Sequence, residues 1–597
     1  MPSRIITSDA AWRARLQGLL RGVMVLCGMG TLGLLVLVVG WPLTEVTRAL
    51  ARAATTWILA VFVTQEMVRV LVQVHPWVFI REHRLELLLT VTVALELLLG
   101  SRVVAWVGAR TSMISASTLA LLLMALNQLT VVGLIALRAL RGIKLFHSRT
   151  LSPGMIFILS FAGLIAVGTL LLKTPQASHG GLSWADAFFL SSSAVCVTGL
   201  TPLDISTMLT PHGQWVLLGL IQVGGLGVMT LTYFFAYFMA GGMSLRSRVG
   251  LQDLLSEDNL GQIGMVLALI VGFTATLELV GAVLIHAALA DGPLAGEGLP
   301  FFALFHSVSA FCNAGFSTLG PGLADARVAS ETGFLSVIMV LIVLGGLGFP
   351  VVKGFYTYLR DHLRYRMRFT RAVPARLSAN SRIVLWTTAL LLVSGTLAIW
   401  LTEFLLGTGP RAGSSGFTAL FHAVTARTAG FNITDVQGAM PATATLLILL
   451  MFVGGSPSST AGGIKTSTLA VAVLSLKRVL LGRHDIEAFH RRFSDELANR
   501  ALSIILVAAA FLAFITVSLC VLHPELPPFD LLFEAVSAVG TVGLTRGITP
   551  QLGAPAKLLL ALAMLVGRVG VLTFLASLLP PKVRPAFRYP ETTIILN

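Results

Sequence analysis

Four short polar stretches, each lodged between long apolar runs, recur along the chain at near-constant spacing. They read FLSSSAVCVTGLT (189–201), FHSVSAFCNAGFS (305–317), FHAVTARTAGFN (421–432) and FEAVSAVGTVGLT (533–545). Each opens on Phe, carries Ser or Thr followed by Ala, and reaches a Gly followed by Leu or Phe. The glycines Gly199, Gly315, Gly430 and Gly543 are 116, 115 and 113 residues apart. The third stretch is one residue shorter between Phe and Gly. That period is too long for a solenoid unit and fits a helix–loop–helix module used four times.

Hydrophobic residues make up 55% of the 597 positions and charged ones 12%. A soluble protein needs more polar surface, and apolar runs of about 20 residues recur as bilayer-spanning helices require. The chain therefore reads as an all-α polytopic membrane protein with twelve spans. Four come first, near 19–41, 55–79, 85–108 and 112–138. Four pairs follow: 153–173 with 213–240, 262–290 with 333–357, 382–406 with 441–480, and 498–522 with 555–579. The expected organisation is a four-helix N-terminal domain (1–149) and four M1–pore loop–M2 repeats, at 150–250, 251–370, 371–490 and 491–597. The first apolar run, Gly22 to Pro42, follows Arg4, Arg13, Arg15 and Arg21 but is too long for a signal peptide. Cys27, Cys196, Cys312 and Cys520 form no CxxC, so disulfide and metal roles are not expected.

The net charge of +15 suggests nucleic acid until its distribution is considered. Residues 358–382 carry seven arginines and 476–500 carry six Lys or Arg. Both segments join one pair to the next, as does 241–250. The within-pair connections hold Asp204, Asp325, Asp435 and Asp530 instead. By the positive-inside rule the pair-to-pair loops are cytoplasmic. Both termini, 141–149 and the tail 580–590 then fall on the same side, as expected of a multi-pass plasma-membrane protein. No nucleic-acid partner is expected.

Non-helical backbone at membrane depth is tolerated only where protein buries it or water lines it. Four equivalent outer segments can meet on a pseudo-fourfold axis, each as a short inward helix and an extended return. Ser183 and Asp186 suit the start of one such helix, and Pro528 and Asp530 of another. Their C-terminal ends would favour a cation, glycine would permit inward carbonyls, and those carbonyls would replace the ion's hydration shell. The expected filter is Val197, Thr198, Gly199; Asn313, Ala314, Gly315; Thr428, Ala429, Gly430; and Thr541, Val542, Gly543. A K+ ion would sit at Gly199, Gly315, Gly430 and Gly543. A single copy would read as helix-packing residues; four in register favour a pore.

Below this level, residues 441–480 are too long for one crossing. FVGGSPSSTAGGIKTSTL (452–469) breaks the run in the middle. The expected gate comprises Gly454, Gly455, Ser456, Pro457, Ser458, Ser459, Thr460, Gly462, Gly463 and Lys465, with Arg568 facing it. The alternative is a packed helix kink. Lys465 either repels ions when the loop closes or snorkels to the interface. Arg568 stands where the other repeats have Gly225, Gly346 and Gly455. It either limits ion occupancy or donates to the broken span's carbonyls. Arg427 is expected to brace the loop through carbonyls or a carboxylate such as Glu534, and Asn313 to brace or to line the path. The fourth span has only Arg138 and Arg141, both at its inner end, which argues against a voltage sensor.

The segments LSPGMIFIL, SAVCVTGL, CNAGF, RTAGFN, GGSPSSTAGGIKTST, GTVGLT and YPETTIILN resemble the Trk/Ktr/HKT potassium transporter superfamily, most nearly its KtrB type, over about residues 150–597. The resemblance implies a K+ path with one filter glycine per repeat and a gating loop beneath it. It also implies a basic residue lining the path, a homodimer, and a cytosolic nucleotide-binding ring. The ring (KtrA/TrkA-like) would dock on loops 358–382 and 476–500. With no dinucleotide fingerprint in this chain, any nucleotide would bind only that separate subunit. Ser458, Ser459 and Ala461 depart from the family's more glycine-rich loop. Some relatives carry Ser at a filter glycine; four glycines favour K+ uptake over a Na+-permeable or Na+-coupled variant. A broken-helix secondary transporter is less favoured, because its repeats are usually inverted. No HExxH, paired catalytic carboxylates or nucleophile elbow suggests an enzyme.

Overall fold

The computed structural model describes residues 2–41, 44–73, 76–82, 87–88, 90–95, 97–98, 153–240, 263–296, 298–367, 377–406 and 416–578. The fourth expected span (112–138), the segments 141–149 and 241–250, and the tail 580–590 lie outside these residues. So do most of the third span and the middle of loop 358–382. The chain divides into two compact units, Met1–Ser148 with Thr174–Gly181, and Arg149–Lys173 with Leu182–Asn597.

In the first unit, helices Pro2–Gly40 and Glu45–Leu71 pack around Cys27, Leu59, Phe62 and Val93. Thr44 caps the second by accepting from Thr47 N at 3.4 Å. That helix starts and ends earlier than the expected 55–79. The chain turns after Leu71, ahead of Pro76, which opens the short helix Pro76–Glu82. Proline disfavours helical geometry in the residue before it.

The second unit is built from M1, pore and M2 helices. The M1 helices are Pro153–Leu172, Ile263–Leu289, Ala379–Leu406 and Asp495–Leu522. The pore helices are Trp184–Val195, Leu299–Phe311, Gly416–Thr425 and Pro528–Gly540. At 10 to 13 residues each is about 15–20 Å long, too short to cross a bilayer. Ser183 caps the first pore helix, accepting from Asp186 N at 3.1 Å. Pro528 opens the fourth pore helix and Asp530 lies in its first turn, as expected, where it also pairs with Arg546 at 2.6 Å.

Two of the M2 helices, the second and the fourth, depart from the expected straight spans. The first, Pro211–Ala240, is continuous. The second bends by 102° between Thr332–Leu347 and Phe349–Arg366, and the fourth by 96° between Ala554–Val569 and Val571–Leu578. Both bends turn on a glycine with positive φ, Gly348 (77°) and Gly570 (94°), a conformation glycine adopts at little cost. The third is interrupted between Pro441–Phe452 and Thr466–Leu480. Among the described residues six helices are long and apolar enough to cross a membrane, and up to eight if each bent pair counts as one.

Glycine positions the M2 helices. A Cβ on Gly224, Gly345 or Gly567 would lie 2.2, 1.9 or 2.0 Å from the carbonyl oxygen of Val195, Phe311 or Val539 respectively. These are equivalent residues at the pore-helix ends, so in repeats 1, 2 and 4 the M2 backbone rests directly on its own pore helix, whereas Gly454 in repeat 3 meets Gly462 O of the loop instead. Between apolar helices in lipid, such small-residue packing replaces the hydrophobic drive of a soluble core. Buried clusters join repeats 2 and 3 through Phe311 and Phe431, and repeats 3 and 4 through Ala423 and Phe533. A third cluster joins repeats 4, 1 and 2 through Ile515, Phe189 and Phe316. Lys557 Nζ also bonds Asp186 Oδ1 at 2.7 Å, linking repeat 4 to repeat 1.

Candidate ion path

The backbone after each pore helix follows one pattern. Val197, Asn313, Thr428 and Thr541 have positive φ, the next residue does not, and the glycine after it does again. Successive carbonyls of an ordinary strand point to opposite sides. Alternating the sign of φ turns the intervening peptide over and brings neighbouring carbonyls to one side. A non-glycine residue in this region is strained, and four occur in register.

The four segments close a ring. A Cβ on Gly199 would lie 2.3 Å from Ala314 O, and one on Gly315 2.5 Å from Ala429 O. Gly430 stands likewise to Val542 O (2.2 Å), and Gly543 to Thr198 O (2.2 Å). Each glycine thus abuts the carbonyl before the next repeat's glycine, and the fourth returns to the first. All four line one cavity of about 220 Å³, together with Asp204, Asn432 and Thr545.

Two sets of side chains hold the ring; both recur in the repeated stretches, but the sequence did not disclose this role. Ser193, Ser309, Thr425 and Ser537 are fully buried. Ser193 and Ser537 accept from Gly199 N (3.1 Å) and Gly543 N (3.0 Å). Ser309 and Thr425 instead donate to Phe316 O (2.8 Å) and Phe431 O (2.7 Å). The switch follows the next residue, Leu in repeats 1 and 4 and Phe in repeats 2 and 3. Farther out, His306 Nε2 bonds Ser317 Oγ (2.9 Å) and His422 Nε2 bonds Thr434 Oγ1 (2.9 Å). Glu534 accepts from Thr549, while Leu190 in the same place offers no polar group. The recurring Ser/Thr–Ala pair was the available signal for the hydroxyls.

Behind the ring, the interruption of the third M2 covers residues 453–465, narrower than the expected 452–469. Val453 and Ile464 pair as a parallel bridge, which makes the interruption a closed loop. Ser456 N donates to Gly346 O (2.9 Å) and Thr460 Oγ1 to Phe311 O (3.1 Å). A Cβ on Gly462 would lie 2.0 Å from Thr541 Oγ1, so the loop abuts the ring at Thr541.

The sequence profile of a family described as TrkH, cation transport protein, matches residues 127–580. The chain belongs to that family. This TrkH-family protein is 33% identical over 471 residues to the potassium/sodium uptake protein NtpJ of Enterococcus hirae, covering 75% of this chain and 98% of that one. It is 34% identical over 449 residues to the Ktr system potassium uptake protein B of Bacillus subtilis, covering 74% and 96%. The crystal structure of the potassium transporter TrkH from Vibrio parahaemolyticus has the same fold, with a TM-score of 0.60 at 19% identity over 81% of this chain and 95% of that chain.

Three basic residues around the loop of this TrkH-family chain, Arg568, Arg427 and Lys465, donate to carbonyls. Arg568 donates to Thr460 O in the loop and, at 3.5 Å, to Gly224 O in repeat 1. Arg427 Nη2 donates to Gly454 O at 3.1 Å. Its partner is not Glu534, which bonds Thr549. Lys465 Nζ donates to Ala461 O at 2.6 Å, tying the loop to itself rather than snorkelling. Asn313 holds a strained backbone. In the orientation that pairs both amide atoms, its nitrogen donates to Ala310 O (3.0 Å) and Ile342 O (3.2 Å). Cys196 and Cys312 cap pore helices 1 and 2 and are free thiols.

Proposed function

We propose that this chain is the pore-forming subunit of a plasma-membrane K+ uptake system. K+ crosses in single file where residues 197–199, 313–315, 428–430 and 541–543 meet. One observation carries the reading: each ring glycine abuts the backbone carbonyl before the next repeat's glycine, around a closed circuit. Backbone oxygens on a common axis can replace the hydration shell of a cation that sheds water readily. The loop 453–465 acts as the gate beneath, held by Arg568, and an inside-negative potential drives entry with about 2.3 kcal/mol per charge per 100 mV.

The basic segments and both termini face the cytoplasm. Exposed Lys477, Arg483, Arg491 and Arg492, the last two on a hairpin strand, form a docking face for a separate nucleotide-binding ring, and the chain works as a homodimer. Charge reversal across 476–500 should uncouple that ring from flux; unchanged regulation would refute the docking face. A second reading, K+ uptake with Na+ permeation or coupling, draws on the likeness to a potassium/sodium uptake protein. The deciding experiment is liposome reconstitution with K+, Rb+, Na+ and Li+ fluxes compared. K+ and Rb+ should far exceed Na+ and Li+; equal permeation overturns the filter assignment.

A further inference from the structure

A slot between repeats 3 and 4 is lined on one side by the M1 helix Asp495–Leu522. Arg500, Ile504, Ala508 and Leu512 fall at every fourth position and form one stripe along it, about 18 Å long at 1.5 Å per residue. The opposite wall includes Lys465, on the trailing limb of the intramembrane loop, and Gly570, where the fourth M2 bends. The slot is partly open and its cavity is about 170 Å³. Ala508 and the glycines facing it leave the space that larger side chains would fill.

The lining is apolar apart from its hydroxyl groups and two cations. Arg500 is exposed, near the polar start of its helix, and has no hydrogen-bond or ion-pair partner among the described residues. Lys465 uses one N–H on Ala461 O, and an ammonium has three. An occupant that suits this slot carries negative charge at one end and a hydrocarbon chain behind it.

We propose that the slot binds one acyl chain of an anionic membrane lipid, its headgroup phosphate on Arg500, and that the bound lipid stabilises the loop in its present position. Because the slot touches both the loop and the M2 bend, its occupancy couples bilayer composition to the gate. This last step rests on the gating role proposed above for residues 453–465.

The test reconstitutes the full chain in phosphatidylcholine vesicles with and without phosphatidylglycerol, and reads Rb+ flux and lipid retention by native mass spectrometry. The wild type should retain one phosphatidylglycerol per chain, and its flux should fall at least threefold when that lipid is present. Arg500→Gln should lose the retained lipid and the response, and Ala508→Phe, which fills the slot, should lose both as well. Glycerol phosphate added to phosphatidylcholine vesicles should have no effect, which separates a lipid from a soluble phosphate. Unaltered retention and response in both variants overturns the proposal, as does inhibition by glycerol phosphate alone. Lipid retention is read without ion selectivity, so failure of the filter assignment would leave this result separately legible.

Discussion

Arg568, on the fourth M2 helix, donates a hydrogen bond to the carbonyl of Thr460 in the loop that interrupts the third, 108 residues earlier. The same guanidinium reaches Gly224 O in repeat 1, so one side chain ties three repeats together beneath the ring. A hydrogen bond from a charged donor is worth about 1.5–3 kcal/mol. Arg568→Ala should release the loop and raise Rb+ flux several-fold in reconstituted vesicles. Arg568→Lys should fall between, since an ammonium lacks the two-pronged fork. Wild-type flux in both would show that this bond does not hold the loop.

The ring leaves no room for a side chain. Gly543→Ala places a methyl 2.2 Å from Thr198 O at a φ of 96°. K+/Na+ discrimination should drop at least ~10-fold, about 1.4 kcal/mol, and the melting temperature in detergent should fall as well, because the methyl meets backbone that has to shift. Gly315→Ser sets a larger group 2.5 Å from Ala429 O and should raise the Na+/K+ ratio further. Selectivity unchanged in both would remove these residues from the ion path.

The outer tethers predict coupling. His306 and Ser317 are buried and 2.9 Å apart, so His306→Phe and Ser317→Ala should each lower K+/Na+ selectivity. A neutral hydrogen bond is worth about 0.5–1.5 kcal/mol, and a double-mutant cycle on selectivity should recover a coupling of that size. Purely additive effects would mean that the pair does not act as one unit.

Asp325 lies outside the membrane-spanning helices and has a defined partner. The Arg327 guanidinium, bonding Asp325 at 2.9 and 2.8 Å, holds that carboxyl down at about 2. A lowered folded-state pKa contributes stability that is full above the ordinary carboxylate value, about 3.9. It is lost as pH falls through about 2. The pair is exposed, so its worth is under about 1 kcal/mol. The Tm difference between wild type and Asp325→Asn should therefore be small and constant from pH 8 to 5 and shrink below pH 4. A difference that first appears at acid pH would carry the opposite sign and exclude this pairing.

The apolar runs determined the membrane class, the repeated stretches the four ring glycines, and the length and Gly/Pro content of 441–480 the break in the third M2. Those features are local. A glycine at positive φ, a helix too short to cross and a forty-residue run studded with Gly and Pro announce themselves within a few residues. The bends at Gly348 and Gly570 were less legible, because Gly227 closes the same motif in repeat 1 and sits inside a continuous helix. What only the tertiary structure decided is which groups pair: Arg568 with Thr460 and Gly224 across repeats, and, within a repeat, Arg427 with Gly454 and the buried hydroxyls with either an amide or a carbonyl. Every residue carries a carbonyl, so nothing in a sequence marks the one that a distant arginine will meet. That choice is made when the fourth repeat closes on the first.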